Sequence, residues 1–150
     1  MVAHHIAQFN IGRLLHPLEA PQVADFVSQL AVINKLADGA PGFVWRLQTD
    51  DGSATEVRPF ADDRIIVNFS VWETIAALHD FTYRTAHAAV LARRREWFER
   101  LGDAVLVLWW IPAGHVPTTE DAMERLDLLR SEGSTPAAFT LKTNFPPSQR

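Results

Sequence analysis

The chain predicts an α+β domain built on an antiparallel sheet, and three observations agree on this. Three segments alternate side chains with the two-residue period of a strand, and a fourth is an apolar run of strand length. Two stretches between them repeat apolar residues at spacings of three and four, as a helix lying on a sheet does. The length of 150 residues and the 47% hydrophobic content suit one domain over residues 1–150, which buries roughly 70% of its unfolded surface.

The first alternating segment, residues 5–12, sets Ala7, Phe9 and Ile11 against Ile6, Gln8 and Asn10. Pro21 suits the first turn of a helix, where its missing N–H is not needed. Val23, Phe26, Val27, Leu30, Ile33 and Ala37 then form one apolar stripe, and Gly39 is the expected left-handed cap. After Pro41-Gly42, GFVWRLQT alternates Phe43, Trp45 and Leu47 against Val44, Arg46 and Gln48. Residues 50–63 are polar with Gly and Pro, a loop with a short extended piece at Thr55 to Arg58; it reads either as a hairpin connection or as a lid.

RIIVNFSVW, residues 64–72, is the central strand, with Ile65, Val67, Phe69 and Val71 on one side and Ile66, Asn68, Ser70 and Trp72 on the other. A helix follows from Thr74 to about Phe98, with a kink near Tyr83. AVLVLWWIPA, residues 104–113, reads as a strand covered on both faces and lying inside the sheet. Thr118 or Thr119 caps a last amphipathic helix, striped by Ala122, Met123, Leu126 and Leu129 and ended by Gly133. AFTLKTNF suggests an edge strand, and residues 146–150 should fray.

Strand, helix, strand, strand, helix, strand is the ferredoxin-like βαββαβ order, with both helices on one face of the sheet and here an extra C-terminal helix. The purely apolar side chains are expected under the helices. The opposite face would then carry Gln8, Asn10, Arg46, Gln48, Asn68, Ser70, Trp72 and at least one of Trp109 and Trp110. Exposed aromatic surface of that kind marks a ligand or partner site, and two sheets closing face to face in a homodimer would bury it.

Composition narrows the function. The chain has no cysteine, so disulfides, thiolate zinc sites and cysteine nucleophiles are excluded, and a reducing cytosol is compatible. A cytoplasmic protein is expected, since no leader or membrane-length apolar run is visible. The net charge of −4 and the pI near 5.8 argue against nucleic acid and anionic membranes as partners. No phosphate-cradling Gly-rich loop, GxSxG elbow or HExxH motif occurs. An RNA-recognition domain shares the element order, but Asn68 and Ser70 stand where its third strand would carry stacking aromatics.

The runs GFVWRLQT, RIIVNFSVWE, YRTAHAAVLARRREWFER and LVLWWIPAGHVPTTEDAMERLDLLR resemble the bacterial family known as domain of unknown function 3291, over nearly the whole chain from Ala7 to Pro146. That family looks like a branch of the dimeric α+β barrel superfamily, which includes antibiotic-biosynthesis monooxygenases, haem-degrading monooxygenases, chlorite dismutases and polyketide-type cyclases. The resemblance implies a dimeric barrel and a cavity able to run oxygen chemistry without a cofactor or with haem. In the haem-degrading members an Asn on the first strand and a His on the second helix flank the pigment, and Asn10 and His87 occupy similar places. The catalytic Trp of those enzymes has only Phe81 or Tyr83 as counterpart, at a shorter spacing from His87.

On one continuous helix Tyr83, His87, Leu91, Arg94 and Phe98 would share a stripe. His87 reads equally as a haem ligand or catalytic group and as a hydrogen-bonded structural histidine; Arg84, Arg93 or Arg94 would pair with propionates. As a run, Arg93 to Arg95 reads as a solvated surface. His115, at a strand end, reads as a rim acid or base or as a turn residue. His4, His5 and His16 lack metal-ligand spacing. The candidate catalytic residues are therefore His87, Asn10 and His115, and the candidate ligand contacts are Asn68, Ser70, Trp72, Arg46, Gln48, Tyr83, Arg94 and Trp110. Two functions remain: an oxygenase-type enzyme acting on a small aromatic or polyketide-like molecule, and a non-catalytic ligand- or haem-binding dimer.

Overall fold

The computed structural model describes residues 3–48 and 62–147. Strands β1 (His4–Arg13), β2 (Phe43–Arg46), β3 (Ile65–Trp72) and β4 (Leu106–Pro112) alternate with helices α1 (Ala24–Asp38), α2 (Ile75–Arg84), α3 (His87–Ala92), α4 (Arg94–Trp97) and α5 (Thr119–Glu132). The sheet is antiparallel between neighbours in the order β2-β3-β1-β4, the ferredoxin-like arrangement, with α5 as the added C-terminal helix. The β1–β3 register sets Gln8 opposite Ser70 and Asn10 opposite Asn68.

The two faces are covered the other way round from the expectation. Helix α1 and helices α2 to α4 lie over the mixed face: Ala37, Leu78 and Phe81 pack with Ile6, Trp72 and Leu108, while Phe26 and Trp97 pack with Leu14 and Ile66. Helix α5 covers the apolar face, where Ala122, Leu126 and Leu129 join Phe9, Phe69, Val107 and Trp109 in one cluster. The reason lies in the backbone. β1 and β2 are parallel, and a right-handed crossover through α1 fixes the side on which that helix lies, whatever the side chains prefer. Trp72, Trp97 and Trp109 are thereby buried within one chain. The mixed face cannot line a barrel shared by two sheets, as the sequence argument required.

Local details differ too. Helix α1 ends at Asp38, but Gly39 has φ −100° and is no left-handed cap; the turn is made by Gly42 at φ +80°, where a Cβ would meet that of Ala77. Thr118 caps α5 in a reciprocal capping box with Asp121, and Gly133 follows at φ +75°. β4 lies at the sheet edge rather than inside it. Its outer side is closed by Phe139, which exchanges backbone hydrogen bonds with Leu108 at 2.8 and 2.9 Å, so AFTLKTNF supplies a single bridge instead of a strand. The expected loop at 50–63 falls mostly outside the described residues; at its end Asp62 accepts from Arg13 Nε at 2.6 Å. No described helix is long and apolar enough to cross a membrane.

Candidate functional site: a cavity between the sheet and its helices

A cavity of about 440 Å³ separates the mixed face from the helices, within the range of small-molecule sites. Its floor includes Gln8, Asn10, Asn68, Ser70 and Trp72, its roof Gln29, Leu30, Ile33 and Asn34 of α1, and its wall runs along α2 to α4. The space persists because α1 is anchored at its ends. Phe26 packs on Trp97 and Phe98 with ring centroids 5.4 and 5.0 Å apart, and Ala37 joins the cluster around Trp72. Between these anchors the floor offers amides that apolar side chains cannot usefully fill, and Leu30 and Ile33 stay half-buried although they face the sheet. Gly12 also lines the cavity; a Cβ there would sit 2.7 Å from the Phe98 ring, so glycine permits the ring to close that end.

The floor divides into a tied part and a free part. Gln8 Nε2 donates to Asn68 Oδ1 at 2.5 Å and to Ser70 Oγ at 2.7 Å, and Trp72 Nε1 donates to the same Ser70 oxygen at 2.9 Å. Gln8 and Ser70 are buried, so this network satisfies groups that are costly to leave alone. Asn10, two residues along β1, makes no side-chain hydrogen bond among the described residues, nor do Gln29 and Asn34 above it. Asn68 is exposed although it lies in an internal strand, because the cavity opens over it.

The chain breaks between α2 and α3. Thr85 is extended, its hydroxyl donating to the Phe81 carbonyl at 2.6 Å, and His87 opens the next helix. A further break at Arg93 separates α4. The single continuous stripe expected for Tyr83, His87, Leu91, Arg94 and Phe98 is therefore replaced by segments, yet all five residues line the cavity. His87 Nδ1 lies 3.1 Å from the Thr82 carbonyl oxygen and must donate to it, which leaves the Nε2 lone pair without a partner among the described residues. The ring packs against Phe81 at 5.2 Å between centroids. Burial holds the imidazole pKa below its ordinary value, outweighing the Thr82 hydrogen bond that raises it. The histidine is thus a neutral base fixed in one tautomer.

Asn10, His87, Asn68, Ser70, Trp72, Arg46, Tyr83 and Arg94 all border this cavity. Arg46 is matched by Asp38 at 2.7 Å, and Tyr83 is half-exposed against His79, with ring centroids 4.9 Å apart. Three candidates lie elsewhere. Gln48 is exposed just beyond β2, past the Leu47 N–H that donates to the Phe69 carbonyl at 2.9 Å. Trp110 donates Nε1 to the Phe145 carbonyl at 2.7 Å and is covered by the C-terminal segment. His115 is exposed in the turn after β4 and does not border the cavity. The arginine run is solvated as expected, with Arg94 and Arg95 exposed, but these two also line the cavity, while Arg93 pairs with Asp25 and Glu96. Among the described residues no cluster of three or more His, Asp or Glu side chains could hold a metal ion.

The family model described as Domain of unknown function (DUF3291) matches residues 5–150. The chain belongs to this family. A comparison with curated proteins gives no match. Similar solved structures include a cofactor-independent oxygenase from Streptomyces nogalater, at 17% identity and TM-score 0.49, covering 76% of this chain and 97% of that one. A protein of unknown function from Nitrosomonas europaea is similar at 15% identity and TM-score 0.48, covering 79% and 99%. A dabb family protein with a ferredoxin-like fold from Mesorhizobium loti is similar at 17% identity and TM-score 0.44, covering 77% and 98%.

Sequence reasoning missed Gln29, Asn34 and Arg95 as cavity residues. The first two flank the apolar stripe of α1 at Leu30 and Ile33, and only the position of that helix over the mixed face makes them functional candidates. A signal existed: two carboxamides five residues apart beside the buried stripe are poor choices for a helix that only fills a core.

Proposed function

We propose that this family member is a small-molecule enzyme that oxygenates an aromatic or polyketide-like compound without a bound cofactor. The observation that carries the proposal is the company of unspent polar groups in one largely apolar cavity: His87 Nε2 and the carboxamides of Asn10, Gln29 and Asn34. A neutral imidazole suits proton abstraction, and amide N–H groups suit the oxyanion that abstraction produces. With anthrone as probe, His87 would take a proton from the ring CH₂, and Asn10 would stabilise the negative charge on oxygen. The carbon's electron pair then reduces dioxygen as a C–O bond forms, and the resulting peroxide takes back the proton held by His87 to become a hydroperoxide. Loss of the second C–H proton with cleavage of the O–O bond leaves a C=O group and releases water, giving anthraquinone. The test is oxygen uptake with anthrone in air. The wild type should exceed the buffer rate, His87→Gln should lower kcat, and a wild-type rate equal to buffer would count against enzymatic oxygenation of such compounds.

The second reading, a haem-binding protein, is supported by the His87–Thr82 hydrogen bond, the arrangement that orients an imidazole for metal ligation. His87 Nε2 would hold the iron, and Arg94 and Arg95 would pair with the propionates. Titration with hemin should then give a Soret shift that His87→Ala abolishes.

A homodimer is also proposed, through other surfaces than the mixed face. Val32 and Leu36 of α1 and Val44 of the edge strand β2 supply exposed apolar area. Light scattering at micromolar concentration would give about twice the chain mass.

A further inference from the structure

The wall of the cavity nearest α4 is positive in a chain whose formal net charge is −4. Arg94 and Arg95 both line it and both are exposed, which sets them at the mouth. Arg94 donates Nη1 to the Leu91 carbonyl at 3.0 Å and has no carboxylate partner, and Arg95 has no hydrogen-bond or ion-pair partner among the described residues. Of the other arginines nearby, Arg100 is exposed outside the lining, and Arg93 and Arg46 are matched. Arg93 pairs with Asp25 and Glu96 and lies 4.7 Å over the Trp97 ring, and Arg46 pairs with Asp38. Glu99, the carboxylate among the described lining residues, is taken by Arg13. Desolvation, then the adjacent Arg100 and Arg94 charges, pushes the Arg95 pKa below its ordinary value, so the free protein holds like charges against one opening.

We propose that the cavity takes an organic acid with an aromatic or polyketide-like body, its carboxylate held at the mouth by Arg94 and Arg95 and its rings lying inward beside Phe81 and Trp72. This rests on the reading of the cavity as a small-molecule site. A forked guanidinium matches a planar carboxylate, and two unmatched ones beside a carboxylate-poor cavity select for it. The chain has no Gly-rich loop to cradle a phosphate, which favours a carboxylic acid over a phosphate ester.

Calorimetry with 2-naphthoate and 2-naphthylmethanol, the same rings with and without the charge, tests the proposal on wild type, the Arg94→Gln/Arg95→Gln double variant and Asn10→Ala. The wild type should bind the acid on the order of tenfold more tightly than the alcohol at low salt. Added salt should shrink the difference, and the double variant should abolish it while melting like wild type. If the acid keeps its advantage in the double variant, the assignment to these arginines is overturned. If the alcohol binds as tightly as the acid and Asn10→Ala weakens both, the small-molecule site stands and the anion specificity falls. If neither probe binds, the aromatic-site reading falls and this inference with it.

Discussion

The two faces of the sheet share strands and backbone but are built for opposite ends. On the α5 face Phe69 meets Phe9, Trp45 and Trp109 with ring centroids 5.3 to 5.7 Å apart, leaving it 1% exposed. On the other face the same strand carries Ser70 and Asn68 beneath a cavity of about 440 Å³. One residue along the strand exchanges close packing for space. The dry face stabilises the domain through burial and ring contacts along its length, whereas the wet face packs in this way only around Trp72 and around Trp97 and leaves polar groups available between them. If the proposed function holds, stability and ligand binding respond to different substitutions, which tests the comparison.

The largest effect should come from the dry face. Phe69→Ala removes a buried ring and should cost about 3 to 5 kcal/mol in urea denaturation; a loss below 1 kcal/mol would mean that this face is not the principal core. Next is Gln8→Leu, on the wet face but inside the tied network. It strips donors from Asn68 and Ser70 and should cost about 1 to 3 kcal/mol by the same measurement, marking the part of the floor that is framework.

The third effect is a pH dependence. The folded pKa of His87 lies below its ordinary value of 6.5, so the unfolded chain takes up this proton first as pH falls. The associated stability is present in full above about pH 6.5 and is lost as pH drops through that value toward the folded pKa. Melting of wild type at pH 8 and pH 5.5 should show a larger drop than melting of His87→Gln; equal drops would place the imidazole in water rather than in the wall. The smallest effect on stability belongs to Asn10→Ala, within about 1 kcal/mol of wild type, because no hydrogen bond is lost. Ligand binding should nonetheless weaken clearly. Glu124→Ala, on the exposed side of α5, should change neither quantity. Unfolding of the Asn10 variant would erase the contrast between the tied and the free parts of the floor.

Much of this was legible before any coordinates. Alternation placed β1 and β3 to within a residue at each end and sorted their side chains into an apolar and a mixed set. The Thr118–Asp121 capping box and Gly133 bounded α5. Asn10, Asn68, Ser70 and Trp72 share a face by alternation, the family resemblance pairs His87 with Asn10, and all five border one cavity. Long-range partners were not legible. Trp110 resembles a cavity residue until the Phe145 carbonyl is seen to hold its indole, and Arg95 is a solvated residue that the position of α4 also sets at the cavity's mouth.

By itself the sequence determined the elements, their order and the division of each strand into two sets of side chains, because these follow from local periods and caps. Only the tertiary structure decided which set the helices cover. A two-residue period is indifferent to the exchange of up and down, and the handedness of the β1–α1–β2 crossover breaks that tie. The same crossover lays α1 over the amides of the mixed face, and the candidate cavity is the space left between them.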